Sequence, residues 1–215
     1  MRVPAFRLAI AACVLLATAA GAMAEDWPTY QKDNARSAVT SEALELPLSE
    51  IWVYRARHAP RPAWPEPAKR DIWHDIPELS PSNTYDRAFH TVAVGDAVYF
   101  GSSSDDQVYC QDAATGCVRW RFFTDGPVRL APTIAEGKVY VGSDDGWAYC
   151  LDAATGELLW RYEAMESARR LPGNGRVISL APVRTGLLLA GGNVHFFAGL
   201  FPSEGVYRCV LDAKS

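Results

Sequence analysis

A fifteen-residue segment, Val108 to Phe122 (VYCQDAATGCVRWRF), returns as Ala148 to Tyr162 (AYCLDAATGELLWRY), with nine of the fifteen positions identical. The shared residues include Tyr109/Tyr149, Cys110/Cys150, Asp112/Asp152 and Trp120/Trp160, and the period is 40 residues. Short runs of strand formers separated by Asp/Gly turns at that spacing are the mark of a β-propeller blade. Such a unit cannot bury its faces alone and has to stack on neighbours.

The second copy gives the clearest blade, over 129–162. Arg129 to Ile134 reads as strand A, interrupted by Pro132, and Lys138 to Gly142 as strand B. Ser143-Asp144-Asp145-Gly146 is a hairpin turn, Trp147 to Leu151 strand C, Asp152 to Gly156 (DAATG) a second turn, and Glu157 to Tyr162 strand D. The blade over 90–122 repeats this order, with strands Thr91 to Val94, Ala97 to Gly101, Gln107 to Gln111 and Cys117 to Phe122. A third unit over 181–215 is stretched and incomplete: Pro182 to Leu189, Val194 to Gly199, Val206 to Leu211, then Asp212. Residues 50–54 (EIWVY) match strand D with no A, B or C strand ahead of them, so Trp52 is expected in a closing strand that completes the last blade of a ring. The fold class is therefore all-β, a partial β-propeller of four-stranded antiparallel blades over residues 50–215, with about three blades present. A ring takes about four to eight blades. The expectation is an N-terminal portion of a longer protein.

Residues 1–24 read as a signal peptide: Arg2 and Arg7, an apolar run from Leu8 to Ala20, and the small-x-small site Ala22-Met23-Ala24. Ile10-Ala11-Ala12-Cys13 is like a lipidation box, but the apolar run before Cys13 is too short and continues past it. The expected location is exported, periplasmic or secreted, with residues 25–49 an N-terminal segment and no transmembrane span in the mature chain. Without Arg2 and Arg7, the 21 basic residues become 19 against 25 acidic ones, net −6. That balance argues against a nucleic-acid partner, whose phosphates need a basic surface. Cys110, Cys117, Cys150 and Cys209 remain in an oxidising compartment, where four thiols allow three pairings. Cys110 and Cys150 occupy equivalent places in blades about 10 Å apart. A bridge between them is not expected.

The pattern Y-C-x-D-A-x-T-G-x-x-x-W, at Tyr109 to Trp120 and Tyr149 to Trp160, resembles the quinoprotein-like (PQQ-type) propeller repeat of exported bacterial proteins. Asp26-Trp27-Pro28, Asp33 and Arg36-Ser37 are similar to the start of such proteins. The resemblance implies that Trp52, Trp120 and Trp160 dock neighbouring blades against turn residues. It leaves activity open, because the family holds quinone-dependent dehydrogenases as well as an outer-membrane assembly scaffold. The dehydrogenases bind PQQ with adjacent cysteines, a Trp floor and calcium on acidic and amide side chains. No two cysteines are adjacent in this chain. The resemblance therefore supports no cofactor here unless residues outside the chain complete a site for PQQ and calcium.

In an up-and-down blade, the B-to-C and D-to-A connections emerge on one face and the A-to-B and C-to-D turns on the other. The insertions 55–89, 163–180 and 200–205 all fall on the first face, while the second carries only tight turns. Binding residues concentrate on loops held by a rigid scaffold. The first insertion is Pro-rich and carries His58, Trp64, Trp73 and His74, and it reads as a lid. The second carries Arg169, Arg170 and Arg176, a set suited to a carboxylate or phosphate and equally to a solvated loop. His90, Arg129 and Arg184 lie near the inner strands. The candidate ligand face is thus His90, Arg129, Arg169, Arg170 and Arg184. The pairs Asp105/Asp106 and Asp144/Asp145 read as turn residues before calcium ligands. No nucleophile elbow, phosphate loop or metal-ligand spacing is present, and no catalytic residue is assigned. Two functions remain: a non-catalytic binding or scaffold module for an unknown protein or small-molecule partner, or part of a PQQ-dependent dehydrogenase of alcohols or sugars.

Overall fold

The DAATG turn sets the geometry of each unit. In the first blade, Asp112 Oδ1 accepts from Ala114 N at 3.1 Å, Thr115 N at 2.9 Å and Thr115 Oγ1 at 2.8 Å. Asp152 repeats the set with Ala154 N at 2.9 Å, Thr155 N at 2.8 Å and Thr155 Oγ1 at 3.1 Å. Gly116 and Gly156 close the turns at φ 71° and 75°, a region where glycine escapes the Cβ clash. Arg119 and then Thr115 stabilise the ionised Asp112, holding its carboxyl at about 2.

The computed structural model describes residues 24–63, 70–71, 76–77, 86–165, 169–173, 175–200 and 202–214. The expected leader lies outside them apart from Ala24, as do Trp64, Trp73 and His74 of the first insertion. The first blade is a four-stranded antiparallel sheet of Thr91–Val94, Ala97–Ser102, Gln107–Asp112 and Val118–Phe123, paired in that order. The second repeats it with Thr133–Ala135, Lys138–Gly142, Trp147–Asp152 and Leu158–Glu163. The third holds Leu188–Ala190, Asn193–Ala198 and Tyr207–Asp212. Their innermost strands touch in sequence order, as blades around an axis must. Strand A is shorter than the pattern suggests in both later blades. Arg129 and Arg184 turn aside to a buried carboxylate, and Val128 N and Val183 N donate to Ser102 O and Ser143 O of the preceding blade at 3.2 and 3.0 Å.

The core lies between blades. One apolar layer, including Val108, Trp120, Val128, Val139, Tyr149 and Leu151, joins the first blade to the second. Another, including Tyr140, Cys150, Val183, Leu187, Val194 and Phe196, joins the second to the third. Val128 fits against Gly101 and Val183 against Gly142; a Cβ on either glycine would lie 2.2 or 2.3 Å from the valine Cγ1. The tryptophans dock on the next blade's turn. Trp52 Nε1 donates to Ala113 O at 2.8 Å with its ring over Gly116, and Trp120 Nε1 donates to Ala153 O at 3.0 Å with its ring over Gly156. Trp160 packs near Tyr140 and Ala213, but its buried Nε1 has no partner among the described residues, and Ala213 O accepts from Lys138 Nζ at 2.9 Å. Residues 50–54 lie in no sheet; Trp52 and Tyr54 face the first blade while Ile51 and Val53 are exposed.

The N-terminal segment runs along the inner strands of all three blades. Trp27 pairs with Ala93, Ile134 N donates to Pro28 O at 2.8 Å, and Asn34 Nδ2 donates to Leu189 O at 2.6 Å. Unpaired strand edges invite association. This segment occupies them.

Trp120→Ala is expected to cost about 3–5 kcal/mol in urea unfolding, as for buried aromatics. Trp120→Phe should cost more than Trp160→Phe, because only the first removes a made hydrogen bond, worth about 1 kcal/mol. Equal losses in the two Phe variants would contradict the docking geometry.

Candidate binding face

The B-to-C turns, which follow strand B, open the insertion-bearing face. Each uses an Asp to hold a Tyr four residues on: Tyr109 Oη donates to Asp105 Oδ2 at 2.5 Å and Tyr149 Oη to Asp145 Oδ2 at 2.6 Å. Asp145 also accepts from Trp147 N at 2.9 Å and Asp125 N at 3.0 Å, and is 2% exposed. Burial pushes its carboxyl up, against the pull of those donors. The other Asp of each pair takes an arginine from far along the chain.

Asp144, 0% exposed, is the centre of that arrangement. Arg129 Nε donates to its Oδ2 at 2.7 Å, while Arg184 Nε and Nη2 donate to Oδ1 and Oδ2 at 2.7 and 2.9 Å. Arg129 Nη1 reaches Asp86 Oδ2 at 2.8 Å and Arg61 O at 2.6 Å, and Asp86 Oδ2 also accepts from Ala63 N at 2.6 Å. The result is an alternating row, Asp86, Arg129, Asp144, Arg184, in which each buried charge has an opposite neighbour. Buried charges persist only when compensated in this way. The row ties the first insertion to the second blade.

The second insertion folds as a hairpin, Arg170–Gly173 against Arg176–Ser179. Ser179 N donates to Asp144 O at 2.8 Å and Leu180 N to Arg169 O at 3.0 Å, fixing its base. Arg176 pairs with Asp106 and donates to Ser104 O at 2.8 Å, which draws the hairpin over the first blade's turn. Burial raises the Asp106 carboxyl, and Arg176 opposes it.

Between this hairpin and strands C and D of the second blade lies a cleft of about 290 Å³, lined by Asp125, Asp145, Trp147, Arg161, Glu163, Arg169, Arg170 and Ser179. Arg161 stacks on Trp147 at 4.4 Å. Arg169 Nη1 lies 3.5 Å from Glu204 Oε2 at the exposed mouth.

The five candidate residues therefore divide. Arg129 and Arg184 meet at Asp144, Arg169 and Arg170 meet in the cleft, and His90 packs edge to face with Tyr30 at 5.7 Å, apart from both sets. Sequence reasoning missed Asp86, Asp144, Trp147 and Arg161. A signal was available for Asp144: Pro127-Val128-Arg129 and Pro182-Val183-Arg184 repeat one motif and deliver both arginines.

Cys110, Cys117, Cys150 and Cys209 are free thiols among the described residues, and all but Cys117 are buried. Burial pushes Cys150 up to about 11 and raises Cys110. Among the described residues no group of three or more His, Cys, Asp or Glu side chains is placed to hold a metal ion. No helix among the described residues is long and apolar enough to cross a membrane.

Residues 66–208 match the sequence family described as outer membrane protein assembly factor BamB. No curated protein matches the chain. Among solved structures, the quinohemoprotein alcohol dehydrogenase of Comamonas testosteroni aligns over 88% of this chain and 26% of its own, at 20% identity and a TM-score of 0.52. A quinohemoprotein alcohol dehydrogenase of Pseudomonas putida HK5 aligns over 58% of this chain and 19% of its own, at 22% identity and 0.48. BamB of Moraxella catarrhalis aligns over 63% and 48%, at 15% identity and 0.35. The chain spans less than half the length of each. The first of these likenesses concerns the fold. The chain belongs to the BamB family and is a PQQ-type β-propeller repeat protein.

Asp144→Ala leaves Arg129 and Arg184 buried without their shared carboxylate, and a loss of about 3–5 kcal/mol in urea unfolding is expected. A loss below about 0.5 kcal/mol, the range of surface positions, would contradict the row. Asp145 has a folded-state pKa above its unfolded value, so its contribution is full below about pH 3.8 and is lost as pH rises through the folded value. The urea midpoint of Asp145→Asn should then fall less than that of the parent as pH rises from about 3.5.

Proposed function

With membership of the BamB family as the premise, we propose that this chain is an exported, non-catalytic propeller module that binds a protein partner through its insertion-bearing face. The supporting observation is the row Asp86, Arg129, Asp144, Arg184, which joins the first insertion to the blades, while the Ser179 N–H to Asp144 O bond holds the second insertion to the same turn. A face fixed in this way presents loops at little entropic cost to association. The family description names an outer membrane protein assembly factor. A partner in outer-membrane protein assembly is the reading that fits it. Export is supported by Arg2, Arg7 and the apolar run to Ala20. The competing reading, the N-terminal part of a quinone-dependent dehydrogenase, draws no support from the cysteines, no two of which are adjacent.

Site-specific photo-cross-linking in a Gram-negative periplasm tests the proposal. Probes at Arg57 and Val177 on the insertion face should capture a protein partner, and the recovered chain should begin at Glu25. Probes at Ala114 and Ala154 on the opposite face should not. Capture from the opposite face alone, or dye reduction after reconstitution with PQQ and calcium, would displace this reading.

A further inference from the structure

We propose that the cleft between the second blade and the hairpin is a binding site for a single carboxylate group, held by Arg161 and Arg170. The inference rests on the reading that the insertion-bearing face is the binding face. Arg161 is fixed by its strand, in register with Tyr149, and by stacking on Trp147 at 4.4 Å. Arg170 is fixed by its pairing with Ser179 at the hairpin base. Among the described residues neither guanidinium makes a hydrogen bond or ion pair, so both donor sets remain available to the cleft. That sets them apart from Arg129, Arg176 and Arg184, each held by a buried or half-buried aspartate.

The first blade supplies an internal comparison. Arg121 stands where Arg161 stands in the repeat, but the residues facing one another across strands C and D are Gln107 and Phe123 instead of Trp147 and Glu163. No hairpin stands beside Arg121 in that connection, because the chain from that D strand to the next A strand is short. The cationic cleft is thus a departure from the repeat, built by the Gln-to-Trp and Phe-to-Glu differences and by the hairpin.

Charge and size narrow the ligand. The carboxylates of Asp125, Asp145 and Glu163 line the same walls as Arg161, Arg169 and Arg170. A balanced lining disfavours a dianionic phosphate, and a planar carboxylate suits the guanidinium fork. At about 290 Å³ the cleft is at the small end of ligand cavities. The carboxylate belongs either to a free small acid or to an acidic side chain or terminus of a bound peptide, and the probes below separate these sources.

Arginine side-chain Nε–Hε resonances of the full chain are followed during titration with acetate, with a short Glu-containing peptide and with inorganic phosphate. Saturable shifts at Arg161 and Arg170 with acetate or the peptide, and weaker ones with phosphate, are expected. Tighter binding of the peptide identifies a polypeptide source, and equal or tighter binding of acetate a free acid. Arg161→Ala and Arg170→Ala should each weaken binding about ten- to a hundred-fold, Arg170→Lys should weaken it less, and Arg121→Ala should leave it unchanged. Tighter binding of phosphate, no saturable shift with any probe, or full binding by folded Arg170→Ala overturns the inference. Partner cross-links with no carboxylate binding would remove this inference and leave the proposed scaffold role intact.

Discussion

The structure depends on an indole lying over a glycine. Trp52 covers Gly116 and Trp120 covers Gly156, and a Cβ on those glycines would stand 2.7 or 2.6 Å from the ring. The same two glycines must take positive φ for the DAATG turn to close. One residue type thus satisfies a local backbone demand and an interblade packing demand. Turn and interface cannot vary separately, which explains why both recur together in the sequence. Because the apolar layers lie between sheets and not within them, a blade acquires its core only by this docking.

The same stacking delivers the buried charges. Val128 and Val183 press against Gly101 and Gly142, and the next residue in each case is an arginine aimed at Asp144. The blade interface therefore positions Arg129 and Arg184, and their shared carboxylate fixes the Ser143–Gly146 turn from which Ser179 and the hairpin are held. Rigidity passes from the apolar layer to the polar face through a few short hydrogen bonds. Asp86 carries it on to the first insertion.

The repeat made the blades legible, because period, turn chemistry and strand-forming residues agree at Val108–Phe122 and Ala148–Tyr162. Strand A was the least legible. Residues 129–132 and 182–187 carry strand-like patterns, yet Val128 N and Val183 N bond sideways to Ser102 O and Ser143 O of the preceding blade, and the arginines that follow them reach Asp144. Those are long-range demands that no local pattern records. The hairpin at Arg170–Ser179 was hidden for another reason: Pro172 and Gly173 have low strand propensity, and its stability comes from Arg176 reaching Asp106. The N-terminal segment was equally silent, since its pairing with Ala93 and Ile134 uses backbone groups that any sequence carries.

Arginine counts alone would rank the residues of this face alike. Their roles are set by how many carboxylates the fold brings to each. Arg129 and Arg184 converge on Asp144 and are neutralised where they stand, so they hold the scaffold. Arg161, one strand away, sits beside Asp145, whose oxygens already accept from Tyr149, Trp147 and Asp125. The repeat satisfies its own aspartates first, and the guanidiniums left over lie where the hairpin interrupts the repeat. Binding capacity on this face thus follows from a mismatch between a regular framework and an irregular insertion.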